Sequence, residues 1–334
     1  PFNFPAMIPL WFLPYAIACG NTIVLKPSEK VPMTMSLIFQ LIDQIGLPRG
    51  VANLVHGSKE VTERLIDHPD VRAISFVGSS PVAKAVYARA AAKGKRVQCQ
   101  GGAKNMAIVL PDADMEMTTK VLAESAFGCA GQRCLATSVA LTVGEARKTF
   151  TEQIVAMAAA LKVGYGLESG VEMGPVISAL SKNRVQKLIA EGRSEYGEIL
   201  LDGREPTIPG YERGSFIRPT IVNQVNLSGV LAQSEIFGPV LALSHADSIE
   251  EAIRHANASV FGNMACIFTR DGHAARKFRN EVEAGNVGIN VGVAAPMAFF
   301  PFSGWKESFF GDLHAQGRDA IDFYTDKKIV IERW

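Results

Sequence analysis

The segment Phe127-Gly128-Cys129-Ala130-Gly131-Gln132-Arg133-Cys134-Leu135 carries a cysteine behind an arginine and two small-residue steps. A cysteine thiolate is a strong nucleophile, and glycines let the backbone approach a bound ligand closely. Upstream, apolar Met115, Val121, Leu122 and Ala126 recur at roughly helical spacing. Asp112 or Asp114 can cap the start and Gly128 and Gly131 stop the run, so a helix is expected over Ala113 to Phe127. Downstream, Thr137 to Val143 is β-rich and bounded by Gly144, which predicts a strand. Cys134 is thus expected on a short bend between helix and strand, where a nucleophile can be reached. The plainer alternative is a buried structural thiol; the Gly-Gln-Arg-Cys context favours the nucleophile.

Four further clusters have types suited to binding. Lys26-Pro27-Ser28-Glu29 ends the first expected strand, Thr22 to Lys26, at its carboxyl end, where parallel sheets bind ligands. Lys26 and Glu29 suit the two ribose hydroxyls of an adenosine, and the carboxylate disfavours a 2′-phosphate, so NAD is expected over NADP. A solvated turn with an ion pair is the alternative. No G-x-G-x-x-G follows the early strands; Phe76-Val77-Gly78-Ser79-Ser80-Pro81 instead runs a strand into a helix, with Ser79 and free N–H groups offering a diphosphate site or simply a cap. Asn3, in Pro1-Phe2-Asn3-Phe4-Pro5, offers an amide to an oxyanion or to local backbone. Glu235-Ile236-Phe237-Gly238-Pro239 could hold a ribose and brace a flat ring, or merely turn into the following strand.

These clusters need a scaffold, and the apolar pattern supplies one. Strands are expected at Val51 to Val55, Ala73 to Val77, Arg96 to Cys99 and Met106 to Leu110, with helices at Pro32 to Ile45, Lys59 to Asp67 and Pro81 to Lys93 between them. This βαβ rhythm implies a helix-covered parallel sheet. After Cys134 a second α/β region follows, with strands at Glu198 to Leu201, Phe216 to Val222, Val240 to Ser244, Met264 to Thr269 and Gly288 to Val291. Helices are expected there at Ala146 to Leu161, Leu180 to Glu191, Ile249 to Asn257 and Ala274 to Glu283. The tail, Ile321 to Tyr324 and Lys328 to Ile331, alternates like a strand that would add to a partner's sheet.

With 334 residues, 48% hydrophobic and 20% charged, the chain is of core-forming globular type. A net charge of +1 with no basic run points away from nucleic acid and anionic membrane and toward small-molecule partners. Five cysteines without a C-x-x-C pair argue for a reducing compartment, and six scattered histidines argue against a metal site. Pro1 to Gly20 is apolar but broken by Pro5, Pro9 and Pro14 and lacks a basic start, so neither signal peptide nor membrane anchor is expected. Opening in mid-core on Pro1, it suggests further sequence upstream.

Taken in order, Pro-Phe-Asn-Phe-Pro, Lys-Pro-Ser-Glu, Phe-Val-Gly-Ser, Gly-Gln-Arg-Cys and Glu-Ile-Phe-Gly-Pro resemble the aldehyde dehydrogenase superfamily across nearly the whole chain. Gly94 to Gln98, Gly102-Ala103-Lys104-Asn105 and the closing Phe-Tyr-Thr-Asp-Lys-Lys look closest to its CoA-acylating, methylmalonate-semialdehyde branch. The resemblance implies an α/β fold: a Rossmann-type NAD-binding domain over 1–101, its N-terminal part lacking, a catalytic domain over 102–311, and a C-terminal oligomerisation strand within 312–334. It implies Cys134 as nucleophile and Asn3 as oxyanion donor. Phe2, Lys26, Glu29, Ser79, Glu235 and Phe237 would hold NAD, with Arg133 and Phe4 on the substrate. Arg133 is equally suited to bracing the loop's carbonyls. Phe4, Phe299, Phe300 and Phe302 would wall a small pocket or simply be core, and Pro301 to Ser308 resembles the family's late active-site loop.

Hydrolytic members of the family place a glutamate two residues before the Gly-Gly pair, where this chain has Cys99. Water, with a pKa of ~15.7, needs such a base, whereas a thiol near ~8.5 supplies its own thiolate. The acyl-enzyme is therefore expected to wait for coenzyme A, turning methylmalonate semialdehyde into propionyl-CoA and CO2 and malonate semialdehyde into acetyl-CoA. The implied enzyme is cytoplasmic, or of the mitochondrial matrix in a eukaryote, and a dimer or tetramer. Three alternatives stay open: a hydrolytic NAD-dependent aldehyde dehydrogenase, a cysteine hydrolase served by a distant histidine, and a non-catalytic binding protein.

Overall fold

The computed structural model describes residues 1–194 and 197–334. Two compact units result, one of Pro1–Gly101, Pro296–Ser303 and Phe309–Trp334, the other of Gly102–Ala295 and Gly304–Ser308.

In the first unit, β1 (Ile23–Leu25) and β2 (Ala52–Leu54) pair in parallel, flanked by α1 (Met7–Ala18) and α2 (Met33–Gln44). A second small sheet joins β3 (Ala73–Val77) and β4 (Arg96–Gln100) in parallel, with the late strand Phe309–Phe310 antiparallel to β4. The helices α3 (Lys59–Asp67) and α4 (Ser80–Ala91) cover it, and Ile66, Ala83, Val86, Ala90, Val97 and Cys99 form its buried cluster. The apolar opening is a helix despite its prolines. Pro9 lies in the first turn, where no N–H is needed, and burial of Trp11, Phe12, Leu13 and Ala16 offsets the bond Pro14 forfeits.

One expectation for the tail is corrected. Ile321 to Tyr324 is not a strand but lies in the helix Gly317–Tyr324, whose Ala320 and Phe323 bury at i, i+3 spacing. Lys328 to Ile331 adopts no regular structure and is exposed. The helix is docked by polar bonds: Arg96 donates to the carbonyls of Asp322, Phe323 and Thr325 at 2.9, 2.7 and 2.7 Å, and the Tyr324 and Ser75 hydroxyls meet at 2.9 Å.

The second unit is built on a seven-stranded sheet. Its strands are β5 (Asn105–Val109), β6 (Thr137–Val143), β7 (Glu198–Leu201), β8 (Thr220–Asn223), β9 (Val240–Ala246), β11 (Met264–Phe268) and β12 (Asn286–Ile289). They stand in the order β12-β11-β5-β6-β9-β8-β7, parallel except for β7. Both β5 and β11 are buried along their whole length, which is why they read as unbroken apolar runs. The sequence expectation placed β8 from Phe216; it starts only after Pro219, which lacks a ladder donor. Packing comes from α5 (Met115–Phe127), α6 (Ala146–Ala160), α7 (Ala179–Ser194), the short α8 (Val230–Gln233), α9 (Ile249–Asn257) and α10 (Gly272–Glu281). Asp114, not Asp112, caps α5 through the Met117 N–H; Asp112 instead receives bonds from Thr269 and Arg270. A two-residue ribbon, β10 (Phe261–Gly262) against β13 (Trp305–Lys306), is clasped by Lys306, whose ammonium meets Glu283 at 2.8 Å and donates to the Asn257 carbonyl at 2.6 Å.

Arg96→Ala removes three bonds to the terminal helix and its contact to Asp326. The expected result is faster hydrogen exchange over 318–325 and a loss of about 1–3 kcal/mol in denaturant unfolding; unchanged exchange there would show the helix is held by its apolar face alone.

Candidate active site

In the second unit Cys134 lies at the amino ends of the parallel strands. Asn105 opens β5, Cys134 precedes β6, Glu235 precedes β9 and Asn263 precedes β11. All four strands run the same way, so the segments before them meet at one edge.

The loop entering β6 is an unusual turn. Gly128–Gly131 forms a single 3-10 turn in which Cys129 and Ala130 both take left-handed conformations, φ 55° and 54°. Such a conformation costs an L-residue about 1–2 kcal/mol, so surrounding bonds must hold it. Gly131, also left-handed at φ 67°, approaches the second loop so closely that a Cβ there would fall 2.1 Å from the Gly238 carbonyl oxygen. Buried Gln132 accepts the Ile177 N–H at 3.2 Å. Gly131 and Gln132 therefore each have a packing reason.

Two asparagines fix the far side. Asn105 donates to the carbonyls of Cys134 and Ala136 at 2.8 and 2.9 Å, and Asn263 donates to the same Cys134 carbonyl at 2.9 Å. Asn105 also accepts the Met264 N–H at 3.1 Å, and Asn286 donates to the Asn263 carbonyl at 3.0 Å. All three are buried. Neither Asn105 nor Asn263 was picked out as a site residue from sequence; the only signal is a polar amide at the start of an apolar strand.

With its carbonyl so held, Cys134 turns its sulfur toward its own N–H and that of Leu135. Burial pushes the thiol up to about 11, the Glu235 carboxylate adds to that rise, and the two N–H groups and the Arg133 guanidinium oppose it. Arg133 lies over Gly128, 3.3 Å from where a Cβ would be, with Nη2 3.6 Å from the Cys129 sulfur. It sits in the loop, partly exposed.

The structure brings Glu235 to this edge. Its Oε1 accepts the Ala103 N–H at 2.9 Å, and Oε2 would be 2.6 Å from a Cβ on Gly102, so a side chain there would displace the carboxylate. Burial raises its pKa, against the Ala103 N–H, Arg184 and Lys104. Arg184 donates to the carbonyls of Glu235 and, at 2.6 Å, Ile236. Phe237 follows with φ 53°. A concavity among Ala103, Arg133, Thr137, Glu235 and Phe237 adjoins them.

The first unit carries the other expected residues. Lys26 donates to the carbonyls of Pro27 and Gly57 at 2.8 and 2.9 Å and lies 3.9 Å from Glu29, leaving one donor and the half-exposed carboxylate for a diol. Phe2 stacks under the Lys30 ammonium at 5.2 Å. Ser79 is the exposed N-cap of α4, and its hydroxyl makes no capping bond. Half-buried Asn3 and Phe4 form the bend leading into α1. Phe302 is core, 3% exposed and 4.6 Å from the Trp11 ring, the plainer of its two expected places; Phe299 and Phe300 are exposed. Cys99 is fully buried in the apolar cluster of this unit, which pushes its thiol up to about 12.

The sequence profile described as Aldehyde dehydrogenase family matches residues 1–330. The chain belongs to that family. It is 52% identical over 334 residues to malonate-semialdehyde dehydrogenase 2 of Geobacillus kaustophilus, covering all of this chain and 69% of that protein. Against malonate-semialdehyde dehydrogenase of Pseudomonas aeruginosa, identity is 46%, covering all of the chain and 67% of that protein. Among solved structures, methylmalonate-semialdehyde dehydrogenase from Oceanimonas doudoroffii superposes with TM-score 0.98 at 46% identity, over the whole chain and 69% of that one. A structure assigned to the same activity from Sinorhizobium meliloti 1021, solved with NAD, gives 0.99 at 42% identity, over the whole chain and 68% of that one.

Because the thiol is raised, alkylation of Cys134 by iodoacetamide, followed by peptide mass spectrometry, should be slow at neutral pH and climb until about pH 11. A plateau near the free-cysteine pKa of ~8.5 would show that burial does not govern it. Asn105→Ala, which strips the Cys134 and Ala136 carbonyls of a buried donor, should cost about 1–3 kcal/mol in unfolding and slow Cys134-dependent turnover by more than the lost stability explains.

Proposed function

We propose that the protein oxidises malonate and methylmalonate semialdehydes to acyl-CoA, using NAD and a thioester on Cys134. The similarity to semialdehyde dehydrogenases along the whole chain supports the substrate class. One observation carries the choice of acceptor: at the position where the resemblance expects a carboxylate base, Cys99 is buried among Val86, Ala90 and Val97 and holds its proton. Such a thiol cannot activate water, and the acyl group waits for an acceptor that ionises by itself.

The cofactor's chemical fit rests on open groups in the first unit. The uncapped Ser79 hydroxyl and the N-terminal N–H groups of α4 suit a diphosphate, and Lys26 with Glu29 suits an adenosine diol. Glu235 and Phe237 would take the nicotinamide half. When bound, NAD supplies a hydride acceptor and thereby the oxidising power.

Cys134 attacks the aldehyde carbon as thiolate. Its own N–H, already directed at the sulfur, and the Asn3 amide are the proposed donors to the resulting oxyanion. The fixed Cys134 carbonyl holds the peptide plane it shares with the Leu135 N–H, and so the orientation of the loop at Cys134. Arg133 is the proposed forked partner of the substrate carboxylate. After oxidation the acyl group rests on Cys134, the CoA thiolate displaces it, and the substrate carboxylate leaves as CO2, giving acetyl-CoA or propionyl-CoA. Self-association is assigned to the tail, where Ile329 and Ile331 are 87% and 93% exposed.

Rapid mixing of the protein with NAD and malonate semialdehyde should release one NADH per Cys134 and then stall, and CoA should restart turnover to acetyl-CoA. Cys134→Ser should abolish the first phase. Free carboxylate formed steadily without CoA would instead assign the chain to the hydrolytic branch.

A further inference from the structure

The turn from Glu235 to Gly238 holds a bulky side chain in a backbone conformation that suits glycine. Phe237 is left-handed at φ 53°, where a large L-residue is a genuine outlier, so its neighbours must hold it there. Its conformation is set by the two peptide planes that flank it: the first carries the Ile236 carbonyl, and the second ends on Gly238. Two consecutive residues of α7 engage these two sides. Arg184, exposed on the helix, donates through both terminal nitrogens, to the Glu235 carbonyl and, at 2.6 Å, to the Ile236 carbonyl. Buried Val185 lies so close to Gly238 that a Cβ there would fall 2.6 Å from its Cγ2. Gly238 also meets Gly131 of the Cys134 loop, and the Glu235 side chain is seated separately, on the Ala103 N–H at 2.9 Å. A long exposed side chain gives up rotamer freedom to hold such a fork, and water could serve the two carbonyls in its place. What water cannot do is fix the two carbonyls relative to each other.

We propose that Arg184 is a positioning residue for this turn: its fork on the Glu235 and Ile236 carbonyls, with Val185 against Gly238, keeps Phe237 left-handed and so fixes in advance the direction in which its ring leaves the chain. For its cofactor arm the inference rests on the reading of Glu235 and Phe237 as partners of the nicotinamide half; the conformation of the turn is independent of that reading. A ring braced before the cofactor arrives spares binding the cost of ordering it. Without the fork, Phe237 relaxes out of the left-handed region, and cofactor binding must supply the free energy that returns it. The operative property is the planar fork and not the charge, since an ammonium at the same place offers a point contact instead of two fixed donors.

The test is Arg184→Ala in the intact protein, beside Arg184→Lys, which carries the same comparison should the alanine variant not fold. In the unliganded alanine variant, hydrogen exchange over 235–240 should quicken by about tenfold while α7 and β8 keep their protection, and NAD affinity measured by calorimetry should fall by about tenfold. Arg184→Lys should stay closer to alanine than to wild type in both readouts. Methylguanidine at millimolar concentration should restore much of the NAD affinity of Arg184→Ala, and methylamine should not. Full recovery with lysine or methylamine would show that charge alone suffices, and wild-type exchange over 235–240 in the alanine variant would show that Val185 holds the turn unaided; either result overturns the proposal. So does a loss of NAD affinity accompanied by faster exchange along the whole chain, which would make Arg184 merely structural. If Glu235→Gln and Phe237→Ala leave NAD affinity at the wild-type value, the cofactor reading fails, and exchange over 235–240 alone decides Arg184.

Discussion

The carbonyl of Cys134 accepts two buried amide donors, from Asn105 and Asn263, and the rest of the reactive loop depends on that pair. A peptide unit held on its oxygen side has its neighbouring N–H groups fixed in direction. The left-handed turn at Cys129, Ala130 and Gly131 is tolerated because this clamp, the Gln132 bond to Ile177 and the Gly131 contact with Gly238 leave the loop no other course. The asparagines are themselves held by the starts of β11 and β12, so the sheet edge and Cys134 form one hydrogen-bonded system.

Electrostatics at this edge oppose each other. Burial and a nearby carboxylate disfavour the thiolate, whereas two N–H groups and a guanidinium favour it. The same burial raises the Glu235 carboxyl, and it leaves Lys104 without a hydrogen bond among the described residues. A group that stabilises a transient oxyanion must be aimed before charge appears, and a dry site makes each such dipole stronger. The result is a Cys134 thiol that rests in its protonated form.

Much of the scaffold was legible because burial leaves a periodic trace. α3, β3, β6, β7 and α9 end where the apolar pattern ends. The tail misled because the same residues, Ile321 and Phe323, satisfy a two-residue alternation and a helix face, and only Arg96 with its three carbonyl contacts selects the helix. α1 was hidden by its prolines, since the burial that offsets them is not local. Of the site, Cys134, Arg133 and Glu235 were visible from chemical type. Asn105, Asn263 and Lys104 were not, because a polar residue beside an apolar strand looks alike whether it caps a turn or clamps a loop a hundred residues away.

The sequence alone determined which atoms could react: a cysteine in a glycine-rich bend, a cysteine rather than a carboxylate before the Gly-Gly pair, and the alternating elements that build parallel sheets. Only the tertiary structure decided that four strand starts converge at one edge, that the Cys134 carbonyl is held by two buried asparagines, and that Lys104 is sealed from solvent. Reactivity of type is a property of single residues, whereas direction, burial and charge coupling depend on distances between segments far apart in the chain.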